Sequence, residues 1–212
     1  MMNKALYEAV LKYDEKSAVE IVKEQLNSGA EPTALINESL IPAMDEVGRK
    51  FSEGTLYMPE MFLAGKAFQA CLNVIKPVLP SEGESQGRVV IGTVKGDMHD
   101  IGKNMVAMML ENGGFEVVDL GVDVPPERFL KTAEEKGAHI VAMSSLLTTT
   151  IPEMKTVIEA FEEKGIRKKL HIMIGGAPVT PAYADQIGAD GYSKDAPGAV
   201  TLARQLLGGS KN

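Results

Sequence analysis

The chain has 212 residues, of which 44% are apolar, and this is enough to build a core in one large domain or two small ones. Its net charge of −7 argues against a general nucleic-acid binder, because phosphate binding needs clustered Lys and Arg. The apolar runs are too short to span a bilayer, and the N-terminus lacks a secretory apolar region. The single cysteine, Cys71, is predicted to be a buried core thiol. We therefore expect a cytoplasmic protein that binds neither nucleic acid nor membrane.

Residues 1–80 have apolar positions at helical spacing and no alternating strand pattern, which predicts four helices in a small bundle. Asp14 is the expected N-cap of one helix, and Gly29 is its expected end. Pro32 suits the first turn of the next helix, which Gly54 ends. The last helix follows, with proline near both ends.

Residues 81–87 are polar and rich in Gly and Ser, which predicts a linker between two domains. From residue 88, short apolar segments alternate with helical ones, which predicts a five-stranded parallel sheet with helices on both faces. The predicted fold class is therefore α/β, with a helical cap over 1–80 and a Rossmann-like (flavodoxin-like) domain over 88–212. The expected strands are 89–94, 116–119, 140–144, 171–174 and 191–192, and the expected helices are 102–112, 126–136, 152–164, 180–187 and 197–207.

The turn after the first predicted strand carries His99 between Asp97 and Asp100. Open α/β sheets bind ligands at this end of their strands. Three roles are open for His99: metal ligand, general base or hydrogen-bonded loop residue. Asp97 is at the right range to accept the second ring N–H, as carboxylates do for metal-bound imidazoles. One histidine is too few ligands for a metal, so a metal bound here should arrive inside a macrocycle.

Two further strand-end turns are candidates for the same crevice. Residues 144–150 hold five hydroxyls in seven positions, which indicates a polar wall in addition to a helix N-cap, for which Thr150 is the candidate. Gly175-Gly176 is either a flexible strand exit or a place where a ligand lies directly on the backbone. No nucleotide-binding fingerprint is present, since the chain has neither G-x-G-x-x-G at 92–102 nor a G-K-[ST] loop.

Three motifs separated by 41 and 28 residues resemble the cobalamin-binding signature of methionine synthase, the B12-dependent mutases and the small corrinoid methyl-carrier proteins. They are Asp97-x-His99-x-x-Gly102, Ser144-x-Leu146 and Gly175-Gly176. Residues 44–60 are similar to the helical cap of methionine synthase and the corrinoid proteins. The resemblance covers essentially the whole chain and implies a stand-alone corrinoid protein of a methylamine, betaine, methanol or methoxyaromatic methyltransferase system.

The resemblance also implies a cofactor and the residues that hold it. The cofactor is cobalamin, a corrinoid that alternates between cob(I)alamin and methylcob(III)alamin, with His99 as the lower axial ligand of cobalt. Asp97 would hydrogen-bond the imidazole, and Thr150 would stand where methionine synthase has a serine, so these two are the implied catalytic residues. Glu53 and residues 57–63 would face the methyl-bearing side. The implied cofactor-binding residues are Glu53, Gly96, Asp97, Met98, His99, Asp100, Ile101, Gly102, Ser144, Leu146, Thr148, Gly175, Gly176 and Ala196.

The implied function is one-carbon transfer by a carrier that is not catalytic alone. It would take a methyl group from a substrate:corrinoid methyltransferase and give it to a second methyltransferase, whose acceptor is tetrahydrofolate or coenzyme M. A reductive corrinoid activase is a further implied partner. A B12-dependent sensor or regulator is the alternative. A receiver-type flavodoxin-like domain is a third reading, but it accounts for neither the cap nor the three-part spacing. The sequence leaves the methylated substrate and the oligomeric state open.

Overall fold

A computed structural model describes residues 2–78 and 85–208 of the chain. Contacts divide it into a first unit, residues 1–84 with 112–114, and a second unit, residues 85–111 with 115–212. Pro80 and residues 81–84 of the predicted linker lie outside the described residues. Within the described ranges, no helix combines the length and apolarity needed to cross a membrane.

The first unit is helical, as predicted. Asp14 caps its second helix by accepting a hydrogen bond from the Ser17 N–H at 3.0 Å, and Gly29 follows that helix with a φ of +83°. Cys71 is fully buried in the core of the unit, together with Phe68, which confirms the predicted core thiol. The helices are α1 (Lys4–Leu11), α2 (Glu15–Asn27), α3 (Pro32–Leu35), α4 (Ile41–Ser52) and α5 (Met58–Ile75), with a 3₁₀ turn at Lys76–Val78.

A π-helical turn, Ile36–Leu40, joins α3 to α4, where an uninterrupted helix was expected. Pro42 explains the difference, because its ring has no N–H to donate and would crowd the carbonyl four residues earlier. The wider turn accommodates the proline, and the Ile41 N–H reaches back to the Ile36 carbonyl. The buried Ser39 hydroxyl in this turn accepts the Asn3 N–H at 2.8 Å, so the turn also fixes the start of α1.

The second unit is a five-stranded parallel sheet in the order β2-β1-β3-β4-β5, which confirms the predicted α/β architecture. Each strand lies within one residue of its expected position. The strands are β1 (Arg88–Thr93), β2 (Glu116–Asp119), β3 (Ile140–Ser144), β4 (His171–Gly175) and β5 (Gly191–Ser193). The helices between and after them are α6 (Ile101–Asn112), α7 (Pro126–Lys136), α8 (Pro152–Glu163), α9 (Pro181–Ile187) and α10 (Ala196–Gly208), and a 3₁₀ turn, Arg167–Lys169, precedes β4.

The strand order places a topological switch point at β1, which pairs with β2 on one side and β3 on the other. Helix α7 packs on α8, and α8 packs on α9, so these three cover one face over a core that includes Phe129 and Phe161. Helix α6 connects strands that step in the opposite direction, and a right-handed crossover therefore puts it on the other face. Ligands of such sheets bind at the carboxyl ends of the strands beside the switch point, here β1 and β3.

Candidate functional site

The loop between β1 and α6 carries His99 at the switch point. Gly96 turns the loop with a φ of +80°, and its N–H donates to Asp123 Oδ1 at 2.7 Å. The Asp123 N–H donates in turn to the Asp97 carbonyl at 3.0 Å. The Thr93 hydroxyl donates to the His99 carbonyl at 2.9 Å. These bonds tie the loop to its own strand and to the next βα loop, so the backbone that presents the imidazole is held on both sides.

Asp97 and His99 form a close pair with very different exposure. Asp97 has no exposed surface, whereas about half of the His99 side chain is exposed, at 49%. Asp97 Oδ1 accepts the His99 backbone N–H at 3.0 Å and contacts ring Nδ1 at 2.7 Å. An ionised carboxylate only accepts hydrogen bonds, so Nδ1 carries the proton and Nε2 keeps its lone pair. No described residue hydrogen-bonds Nε2, which is therefore available to a ligand.

The second carboxylate oxygen of Asp97 is held by the loop after β3. Oδ2 accepts the backbone N–H groups of Leu146 at 2.7 Å and Leu147 at 3.3 Å. It also accepts the Thr150 hydroxyl at 2.9 Å, and the Ser145 hydroxyl lies 3.3 Å away. The two loops of the switch point are thus joined through one buried carboxylate.

These contacts keep Asp97 ionised. Burial raises the pKa of the carboxyl, but the hydrogen bonds from the backbone of His99 and Leu146, from the His99 ring and from the Thr150 hydroxyl outweigh it. The net effect holds the pKa of Asp97 well below its usual range. A permanent negative charge behind Nδ1 fixes the tautomer of the imidazole and makes Nε2 a stronger donor to a metal.

A cavity of about 290 Å³ lies beside this pair in the second unit. Its lining combines residues at the ends of β3, β4 and β5, such as Met143 and Ser193, with residues of α10 such as Ala199. Apolar residues such as Val106 line the cavity, and so do seven of the residues predicted to bind a cofactor. They are His99, Gly102, Ser144, Leu146, Gly175, Gly176 and Ala196.

The surface around His99 is unusually apolar for an exposed region. Met98 is 67% exposed and Ile101 is 70% exposed, and Leu146 and Leu147 are also exposed. In the first unit, Tyr57, Met58, Phe62 and Leu63 near the start of α5 are exposed as well. Exposed apolar groups in a contiguous stretch mark an interaction site.

Other predicted residues lie elsewhere. Asp100 accepts a hydrogen bond from the Asn104 side chain at 3.1 Å, and Thr148 is exposed and does not line the cavity. Glu53 belongs to the first unit and pairs with Arg49 at 2.5 Å. Thr150 was expected to be the N-cap of α8, but Ile151 holds that position. The Thr150 hydroxyl donates a hydrogen bond to Asp97 Oδ2 instead. Thr150 Oγ1, which would have capped the helix, is used in the hydrogen bond to Asp97.

Sequence reasoning missed Ser145 and Asp123. Ser145 was one hydroxyl among five in its loop, and its burial is the only feature that separates it from Thr148 and Thr149. Asp123 carries no sequence signal, because its role depends on a φ of +51° and on a loop that is adjacent only in space.

The geometry of Gly176 has an unforeseen cause. A Cβ at this position would lie 1.9 Å from the Ser145 carbonyl oxygen, and φ is +130°, a region that side chains disfavour. The glycine is thus required by the backbone of the neighbouring loop, whether or not a ligand also lies against it.

Comparison with known proteins places this geometry in a family. The description "B12 binding domain" applies to two family models, one matching residues 87–201 and the other residues 2–76. The chain belongs to the B12-binding corrinoid proteins. It is 43% identical to trimethylamine corrinoid protein 1 of Methanosarcina acetivorans, over 94% of each chain. It is also 43% identical to the dimethylamine corrinoid protein of Methanosarcina barkeri, over 91% of each chain.

A solved structure extends the match to three dimensions. The methanol:cobalamin methyltransferase complex MtaBC of Methanosarcina barkeri contains a chain that is 29% identical. The alignment has a TM-score of 0.87 and covers 98% of this chain and 80% of that one. The helical unit followed by the parallel sheet is therefore an architecture already seen in a corrinoid protein.

The residues present fit a corrinoid. A cobalt ion already held by a macrocycle would require no cluster of protein ligands, and His99 would offer it one ring nitrogen that no described residue hydrogen-bonds. Met98 and Ile101 provide apolar surface for a flat ring, and the adjoining cavity offers space for an extended tail. Within the part of the chain that the structure describes, no group of three or more His, Cys, Asp or Glu side chains could hold a bare metal ion. The metal would accordingly be bound with its macrocycle.

Proposed function

We propose that this corrinoid protein carries a methyl group on cobalt from a substrate:corrinoid methyltransferase to a second methyltransferase. The observation that carries the proposal is the His99 ring, which buried, ionised Asp97 orients beside a cavity of about 290 Å³. When bound, the corrinoid supplies a cobalt centre that accepts and releases the methyl group. The protein supplies binding, orientation and protection of that centre.

His99 Nε2 is the proposed lower ligand. Asp97 holds the proton on Nδ1 and opposes its loss, since the carboxylate stays ionised, and this keeps the Nε2 lone pair directed at the metal. Thr150 holds Asp97 from the opposite side through its 2.9 Å hydrogen bond. Asp97 and Thr150 would therefore hold the imidazole in the orientation that presents Nε2 to a cobalt ion.

The cavity is the proposed site of the nucleotide tail. Ser144 and the Gly175-Gly176 turn line it, and Ala196 closes it at the start of α10. We also place Thr148, from the same loop as Ser144, at the tail. Gly96, Met98, Asp100 and Ile101 complete the proposed cofactor site around His99, where Met98 and Ile101 offer apolar contact.

The exposed side chains at the start of α5 are proposed to contact the methyl-bearing face of the corrinoid. Tyr57 is 69% exposed and Phe62 is 55% exposed, which is a large apolar area to leave in water. Such groups shield a reactive bond by excluding water. Glu53 would add a charged group near the same face.

Methylamines are the proposed methyl source. The two relatives described above are named for trimethylamine and for dimethylamine at equal identity, and the solved complex is named for methanol. The names favour a methylamine, with one enzyme selecting the substrate and a second enzyme accepting the methyl group. A reductive activase would restore corrinoid that has been oxidised.

We also propose a cytoplasmic location, which the buried free thiol of Cys71 fits.

Reconstitution tests the proposal. The purified chain is loaded with hydroxocobalamin, desalted, reduced anaerobically to the Co(I) form with a chemical reductant such as titanium(III) citrate, and assayed with a trimethylamine or dimethylamine methyltransferase for methyl transfer to the bound corrinoid. Stoichiometric retention and substrate-dependent methylation are the expected results. A chain that retains corrinoid but accepts methyl from no methylamine, methanol, betaine or methoxyaromatic methyltransferase would contradict the carrier function.

A further inference from the structure

Ser145 has a buried hydroxyl to which the proposed roles of His99, Asp97 and Thr150 assign no part. Its side chain is fully buried, and its Oγ lies 2.8 Å from Thr150 Oγ1. Asp97 Oδ2 and the Leu147 carbonyl are each 3.3 Å from the same oxygen. Thr150 Oγ1 lies 2.9 Å from Asp97 Oδ2 and 3.0 Å from the Leu147 carbonyl. Two hydroxyl protons therefore have to be shared among several acceptors.

The acceptors select one arrangement. The Leu147 carbonyl already accepts the backbone N–H groups of Thr150 at 3.0 Å and Ile151 at 3.2 Å, so both of its lone pairs are engaged. The shortest remaining contacts are Ser145 to Thr150 and Thr150 to Asp97. Ser145 therefore donates to Thr150, and Thr150 donates to the charged carboxylate, which is the stronger acceptor.

The backbone holds Ser145 in place for this role. Its N–H donates to the Gly175 carbonyl at 3.3 Å, and its carbonyl oxygen packs where a Cβ of Gly176 would be. The position of the hydroxyl is set by the β3 and β4 loops together and not by its own rotamer alone.

We propose that Ser145 is a positioning residue, the first member of a hydrogen-bond chain that runs through Thr150 and Asp97 to the His99 ring. By donating to Thr150 Oγ1, Ser145 leaves the Thr150 proton a single favourable acceptor, Asp97, and polarises that hydroxyl. Without Ser145, the Thr150 hydroxyl loses this donor, its hydrogen bond to Asp97 weakens, and the carboxylate loses part of its hold on the ring. The consequence for cobalt ligation rests on the proposed function, but the chain of bonds itself does not.

Solvent exchange of the His99 Nδ1 proton tests the chain of bonds in the absence of corrinoid. The full-length protein is labelled with ¹⁵N-histidine, and the Nδ1–H signal is assigned by its loss in His99→Ala. Ser145→Ala is expected to accelerate exchange of this proton roughly threefold, the size expected for one weakened hydrogen bond. Thr149→Ala removes an exposed hydroxyl from the same loop and should leave exchange unchanged.

A double-mutant cycle separates positioning from mere structure. In a Thr150→Val background, Ser145→Ala should have a clearly smaller effect than in the wild type, because only the longer direct contact from Ser145 Oγ to Asp97 Oδ2, at 3.3 Å, remains. An equal effect in both backgrounds, or no effect of Ser145→Ala in the wild type, would overturn the proposal. If Ser145→Ala does not fold, Ser145→Cys is the second variant, because its side chain has a similar size but its S–H is only a weak donor. Exchange should still be faster than in the wild type, and a wild-type exchange rate in Ser145→Cys would overturn the proposal.

The same samples distinguish this proposal from the proposed function. Exchange that follows the cycle in a chain that retains no corrinoid would support the role of Ser145 and contradict the carrier function. Normal corrinoid retention with no coupling between Ser145 and Thr150 would contradict the role of Ser145 and leave the carrier function supported.

Discussion

The Asp97 carboxylate lies 2.7 Å from His99 Nδ1 and is itself completely buried, so one charged group links the half-exposed ring to the protein interior. Six contacts converge on that carboxylate, from two loops that follow different strands. The pair is thus built into the switch point of the sheet, and its geometry does not depend on a bound ligand to hold it.

Replacing Asp97 with Asn should weaken corrinoid binding about 10–100-fold, the usual effect of losing a carboxylate behind a metal-bound histidine. The amide cannot accept from all of its neighbours, and its NH₂ group faces their donors. Equilibrium dialysis with hydroxocobalamin measures the change. Asp185→Asn, at an exposed position on α9, is the matched control and should bind as the wild type does. Equal affinity of the two variants would contradict the role given to Asp97.

Gly176→Ala should destabilise the second unit by about 3 kcal/mol or more, because the new Cβ overlaps the Ser145 carbonyl and the backbone is left-handed. Gly121→Ala provides the control: its φ is +82°, but nothing lies within 4 Å of a Cβ there. That variant should lose only about 1 kcal/mol from backbone strain. Urea unfolding followed by circular dichroism gives both values. Equal losses would show that contact with Ser145 does not constrain Gly176.

Asp123→Ala should loosen the His99 loop, since the Gly96 N–H loses its acceptor at 2.7 Å. We expect about a threefold to tenfold loss of corrinoid affinity, corresponding to one hydrogen bond. Asp123→Asn keeps the Oδ1 acceptor and should bind almost normally. A wild-type affinity for Asp123→Ala in the dialysis assay would remove Asp123 from the set of positioning residues.

Much of this could be predicted from the sequence. The periods of the apolar positions located the five strands and five helices of the second unit and predicted four helices in the first, and the three-part spacing led to His99 and Asp97. The π-helical turn was missed because its cause, Pro42, acts on a carbonyl one turn earlier and leaves the apolar spacing intact. Thr150 was singled out by the resemblance and as a candidate helix N-cap, but Ser145 could not be told apart from the neighbouring hydroxyls, because only burial decides which of them reach Asp97.

Cys71 gives a test of the first unit that is independent of any cofactor. Burial, with a smaller effect from Glu15, raises the pKa of the thiol to about 12. A raised folded-state pKa means that the stabilisation is complete below the unfolded-state pKa, near 9, and is lost as the pH rises toward 12. Between about pH 9 and pH 12, the unfolding free energy should fall by up to about 1.4 kcal/mol per pH unit relative to Cys71→Ala.

Thiol labelling completes this test. At neutral pH, iodoacetamide should not modify Cys71 in the native protein and should modify it fully in guanidinium chloride. Rapid labelling of the native protein, or parallel stability curves for wild type and Cys71→Ala above pH 9, would contradict the buried assignment.

His99 Nε2 is the lower ligand of cobalt that we propose. Electron paramagnetic resonance of the Co(II) form, reconstituted into protein labelled with ¹⁵N-histidine, tests it most directly. The claim predicts that the nitrogen splitting changes from a triplet in unlabelled protein to a doublet in labelled protein, and that His99→Ala abolishes the doublet. A triplet that persists in the labelled protein would mean that the nitrogen comes from the cofactor itself and would contradict the claim.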